Sequence, residues 1–143
     1  MIIPDINLLL YAHVTGFAQH AAARTWWEKI LGGHTPVGLA MPVLFGFIRI
    51  ATQPRILEKP MAVSQALRHV RSWIDQPTAQ VIQPGPRHLQ LTFQFLEAFG
   101  VAGNLTMDCQ LAALAVEHQA EVHSADADFS RFRGVRWLNP LDD

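Results

Sequence analysis

Four aspartates carry the first chemical signal in this sequence. Asp5 ends the strand-like run Met1–Pro4, and Asp126 and Asp128 follow another such run in Ser124-Ala125-Asp126-Ala127-Asp128-Phe129. Asp108 closes Gly103-Asn104-Leu105-Thr106-Met107-Asp108, just before the apolar run Leu111, Ala112, Leu114, Ala115 and Val116. In an open parallel sheet, ligands gather beyond the carboxyl ends of the strands, so acids at those ends carry more weight than acids elsewhere. Taken singly, each has a plain structural reading: Asp126 and Asp128 as a helix cap or turn, Asp108 as a charge that complements the helix dipole. Taken together, they would repel one another unless a proton or cation compensates. An all-oxygen set suits a hard cation, Mg²⁺ or Mn²⁺, which can activate water and polarise a phosphate. The expectation is one acidic metal pocket.

Those acids need elements to position them, and the hydrophobic pattern supplies a candidate set. Met1–Pro4, Val37–Ala40, Ala79–Ile82, Glu121–Ser124 and Val135–Leu138 read as strands. Between them, Gln19–Leu31, Pro42–Thr52, Val63–Gln76, Arg87–Phe99 and Met107–His118 repeat apolar residues near three and four apart, as helices do. Such alternation predicts an α/β fold with a mostly parallel central sheet of four or five strands flanked by helices. Gly32-Gly33, Gln83-Pro84-Gly85-Pro86 and Gly100 punctuate it, and the stretch from Gln53 to Pro60 is the longest expected loop. Thr106 is the expected cap of the helix carrying Asp108.

Composition bounds the partners. The 143 residues suit a single domain spanning 1–143. Half are hydrophobic and 16% are charged, against about 25% charged in an average soluble domain. That surplus of apolar surface points to an oligomer or a standing protein partner. No apolar run reaches the roughly 18 residues that cross a bilayer, and Met1 leads straight into a strand, so a cytoplasmic location is expected. The lone Cys109 excludes a disulfide framework and a thiolate metal site. Net charge is only −1, so any nucleic-acid contact must rest on a local basic patch or on metal ions.

At this point the chain resembles the PIN-domain ribonucleases, and specifically the VapC-type toxins of bacterial toxin-antitoxin modules. The likeness rests on Pro4-Asp5-Ile6-Asn7-Leu8-Leu9-Leu10-Tyr11-Ala12, Phe47-Ile48-Arg49-Ile50-Ala51-Thr52, Gly103-Asn104-Leu105-Thr106-Met107-Asp108, Ser124-Ala125-Asp126-Ala127-Asp128-Phe129 and Leu138-Asn139-Pro140-Leu141. It implies a single PIN-like domain acting as a metal-dependent endoribonuclease. By the resemblance, Asp5, Asp108 and Asp126 bind Mg²⁺ or Mn²⁺, Asp128 joins them, and Asn7 and Ser124 line the site. It also implies an RNA substrate, a small antitoxin protein and a homodimer. One position departs from the pattern: relatives carry a glutamate where Gly46 stands, which leaves open whether one metal or two are held.

Other residues offer less. None of the seven histidines forms an H-x-x-x-H pair, which argues against zinc; His13 and His20 are expected at the solvated surface, with substrate contact as the alternative. Trp26, Trp27, Trp73 and Trp137 are expected in the core or an interface rather than stacked on bases. Arg49, Arg55, Arg131, Arg133 and Arg136 are candidate phosphate contacts, Arg49 foremost. A receiver domain or aspartate-nucleophile phosphatase is disfavoured, because Lys29 and Lys59 are the only lysines and neither follows a late strand. The remaining rival is an inactive PIN-fold binding or regulatory module.

Overall fold

The computed structural model describes residues 1–142 except 101, 102 and 104. Five strands, β1 (Ile2–Pro4), β2 (Val37–Ala40), β3 (Ala79–Ile82), β4 (Glu121–His123) and β5 (Arg136–Leu138), form one sheet in the order β3-β2-β1-β4-β5. Every pairing is parallel, with Ile2 opposite both Val37 and Glu121. Parallel central strands covered on both faces must be apolar throughout, and all four residues of β2 are buried. The chain runs outward from β1 through β2 to β3, then returns to the other side of β1 with β4. Such a reversal of strand order opens a crevice at the carboxyl ends of the strands flanking it. Asp5 follows β1 and Ser124 follows β4, so both stand at that crevice.

Six helices cover the sheet: α1 (Ile6–His13), α2 (His20–Leu31), α3 (Met41–Ala51), α4 (Val63–Ile74), α5 (His88–Phe99) and α6 (Leu105–His118). Five of them match the periodic segments within a residue or two, the usual uncertainty of helix ends. The sixth, α1, was not anticipated. Its sequence buries Ile6, Leu8, Leu9, Leu10 and Ala12, so it is apolar nearly all round and shows no stripe by which a helix announces itself. Asp5 is its N-cap, with Oδ1 accepting from the Ile6 N–H at 2.7 Å. On α6, Thr106 lies inside the first turn rather than at the cap, because the helix already begins at Leu105; Asn104 before it lies outside the described residues.

Three of the four tryptophans are core residues, as expected: Trp26, Trp27 and Trp73 are buried, and Trp73 meets Phe47 and Trp27 edge-on. Cys109 is a buried free thiol.

Candidate metal centre

The crevice is organised around the Ser124 hydroxyl, which is fully buried. It donates to Asp5 Oδ2 at 2.7 Å and accepts from the Asp126 N–H at 3.0 Å and from Asn7 Nδ2 at 3.2 Å. One donor and two acceptors are all a serine hydroxyl offers, so every site is used. Asn7 also donates to Asp5 Oδ2 at 3.3 Å and accepts from the Ala125 N–H at 3.3 Å. Asp5, Asn7, Ser124 and the start of the loop carrying Asp126 are thereby tied into one network.

After β4 the chain enters a short 3-10 turn, Ala127–Arg131, capped by Asp126, whose Oδ1 accepts from the Asp128 N–H at 2.9 Å. The structural reading of Asp126 as a cap is therefore correct, and it leaves Oδ2 free for another role. Asp128 is exposed, and Asp5 is buried.

The acids sense one another. Burial pushes the Asp5 carboxyl above the usual range, the donors Ser124 and Ile6 pull it back, and Asp126 raises it again. Asp108, in the first turn of α6, is pushed up to about 7, chiefly by burial and then by repulsion from Asp5, Asp126 and Asp128. Burying and repelling carboxylates without compensation costs stability, and residues held against that cost mark candidate functional sites. Among the described residues, however, no three His, Cys, Asp or Glu side chains converge closely enough to ligate one ion directly as they stand. The acids gather within electrostatic reach rather than in a closed cage. The donor set still fits Mg²⁺ or Mn²⁺, because a hard cation that keeps several waters takes only one or two carboxylates directly.

Gly46 has a packing reason. It is buried on α3, and a Cβ there would run into the Ile6 Cδ1 on α1. The glycine lets α3 close on the helix that Asp5 caps, so a glutamate at this position needs Ile6 to move first.

Other residues fall differently from expectation. His13 is not a solvated surface residue: its Nδ1 bonds the Leu9 carbonyl at 2.7 Å, Nε2 accepts from Trp73 Nε1 at 3.1 Å, and burial lowers its pKa to about 4. His20 bonds the Tyr11 carbonyl. Arg49 lies exposed in the last turn of α3, with no hydrogen bond or ion pair to the aspartates among the described residues. Sequence reasoning missed His123, the buried end of β4. It accepts from Trp26 Nε1 at 3.1 Å and meets Glu121 Oε1 at 3.0 Å, bracing the strand that delivers Ser124. A histidine at a strand's last residue, beside Ser124, was the available signal.

Comparison with known proteins agrees with the fold. Residues 2–135 match the PIN domain family. Ribonuclease VapC33 of Mycobacterium tuberculosis is 50% identical over 141 residues, covering 99% of both chains. Ribonuclease VapC37 of the same organism is 39% identical, covering 98% of this chain and 97% of its own. Among solved structures, VapC20 of M. tuberculosis, described as a sarcin-ricin loop cleaving toxin, superposes with a TM-score of 0.69 at 16% identity, covering 95% of this chain and 99% of its own. VapBC-1 of nontypeable Haemophilus influenzae gives 0.70 at 15% identity, covering 99% and 100%.

Proposed function

Because this chain belongs to the PIN-domain family, and within it to the VapC ribonucleases, we propose that it is the toxin of a toxin-antitoxin pair, cutting RNA at the acidic crevice with Mg²⁺ or Mn²⁺. The observation that carries the site assignment is the Ser124 hydroxyl, which ties Asp5 to the loop of Asp126, beside an Asp108 carboxyl raised first by burial and then by Asp5, Asp126 and Asp128. Asp5, Asp108 and Asp126 would hold the ion, in part through its waters, with Asp128 joining and Asn7 and Ser124 lining the site. Bound there, a hard cation supplies polarisation of a phosphate oxygen and activation of water. Ser124 and Asn7 orient the Asp5 carboxylate, and the cap contact of Oδ1 with the Asp128 N–H fixes Asp126 at the start of the 3-10 turn. Residues 1–143 act as one domain.

The partners in this reading are an antitoxin and a second copy of the chain. Phe45, Leu89 and Phe93 are each more than half exposed, which is surface that a partner can cover. A cavity of about 810 Å³, lined by Leu10, Val14, Ile50 and Met61 together with Glu58 and Lys59, offers a groove of mixed polarity for an antitoxin segment. No helix among the described residues is long and apolar enough to cross a membrane, and in this reading an RNA substrate and an antitoxin partner support a cytoplasmic site of action. Expression should inhibit growth, with rescue by the adjacent reading frame. Harmless expression of an RNA-cleaving protein would contradict the toxin role.

A further inference from the structure

An RNA backbone approaching four carboxylates meets repulsion that a bound cation only partly offsets, and the chain's net charge of −1 gives no general attraction. A local cation is needed, and the described residues contain one Arg or Lys within salt-bridge distance of these aspartates. Arg131 ends the 3-10 turn that Asp126 caps, three residues after Asp128, with Nη1 3.9 Å from Asp128 Oδ1. Its guanidinium carbon lies 4.6 Å from the centre of the Phe99 ring. Phe99 meets Phe132 edge-on at 4.9 Å, and Phe132 rests against the buried Phe129 at 5.4 Å. The guanidinium thus sits on an aromatic platform rooted in the core, which limits the rotamer entropy lost when it binds.

The ion pair to Asp128 is a weak competitor. Both side chains are 52% exposed and the separation is at the limit for a salt bridge, a geometry worth little in water. Arg131 can therefore leave Asp128 for a stronger partner at small cost, and its flat fork of donors matches a phosphate. The neighbouring arginines differ. Arg136 Nη2 donates to the Gln119 carbonyl at 3.0 Å, beside the start of β4 rather than its carboxyl end, and Arg133 makes no ion pair among the described residues.

The geometry points to Arg131 as the residue that grips an RNA phosphate flanking the one cleaved, exchanging Asp128 for the backbone as the substrate enters. This assignment rests on the proposed RNA cleavage at the acidic crevice. It is specific to Arg131 and to its seat on Phe99.

The test is binding of a fluorescent single-stranded RNA to the full chain carrying Asp108→Asn, with and without a further Arg131→Gln, across a salt series. Loss of one phosphate contact on a single strand lowers the slope of log K against log salt by about 0.7. Arg131→Gln should show that drop together with roughly tenfold weaker binding at low salt. Arg131→Lys should recover the slope but only part of the affinity, a rescue that a purely structural role would not give. Phe99→Leu should weaken binding while keeping the slope, and Arg133→Gln should change neither. An Arg131→Gln slope equal to the parent's overturns the assignment, as does an equal loss with Arg133→Gln. A wild-type chain that cuts no RNA sinks the function reading instead, so the two failures are distinguishable.

Discussion

The Ser124 hydroxyl reaches Asp5 Oδ2 at 2.7 Å across 119 positions of sequence, joining the loop after β4 to the cap of α1. Removing it with Ser124→Ala strips Asp5 of its closest side-chain donor and leaves the Asp126 N–H without its acceptor. Hydrogen bonds to charged groups contribute about 1.5 to 3 kcal/mol, so urea unfolding should show a loss in that range. Activity should fall as well, because the carboxylate is no longer held in place. An unchanged midpoint would mean that the network contributes nothing net.

Asp108 gives a prediction in which stability and activity move in opposite directions. Its folded pKa of about 7 lies above the ordinary 3.8, so between those values the folded state binds more protons than the unfolded one. Stability from this group is therefore present at low pH and lost as pH rises toward 7. Asp108→Asn removes that loss: in chelator at pH 8 the variant should be more stable than wild type, while its RNA cleavage falls at least about 100-fold, or roughly 2.7 kcal/mol in the barrier. Equal thermal midpoints for the two proteins at pH 8 would count against the repulsion.

His13 has the opposite sign over an overlapping window. Its folded pKa is about 4 against 6.5, so the unfolded state binds more protons between those values, and stability rises with pH there. In wild type the His13 and Asp108 slopes oppose each other between about pH 4 and 6.5. Asp108→Asn should unmask a steeper rise in stability across that interval, measurable as midpoint denaturant concentration against pH. A flatter profile in the variant would show that the acid is not perturbed as described.

Gly46 and Ile6 form a testable pair. Gly46→Ala places a Cβ against Ile6 Cδ1, the movable end of that side chain, so the strain of turning Ile6 aside should cancel most of the gain of about 0.5 to 1 kcal/mol that alanine brings to a helix interior. Ile6→Ala should relieve that strain, so the double variant is more stable than the sum of the single effects predicts. Strict additivity would mean that the contact is not what keeps glycine there. Gly46→Glu needs the same movement of Ile6, so Mn²⁺ titration of Gly46→Glu with and without Ile6→Ala tests whether an acid on α3 strengthens Mn²⁺ binding.

The sheet and five of its helices were legible because burial imposes its period on the sequence: Val37–Ala40 is apolar at every position, and α4 repeats Ala66, Val70 and Trp73 on one face. The positions of the acids at the ends of strands and helices were legible too. Helix α1 was not, since a short helix buried on most sides resembles a buried strand in sequence. Nor was the surrounding of His13, whose Trp73 partner lies 60 residues away, or the fit of Gly46 against Ile6. Contacts between residues distant in sequence leave no periodic trace.

The central claim is tested most directly by cleavage of a mixed RNA pool by the purified chain, with and without added Mg²⁺ or Mn²⁺, comparing wild type with Asp126→Asn. The account predicts cutting by wild type only when the metal is present, abolition by chelator, and at least about 100-fold slower cutting by the variant. Cleavage that persists undiminished in chelator, or in Asp126→Asn, would contradict it.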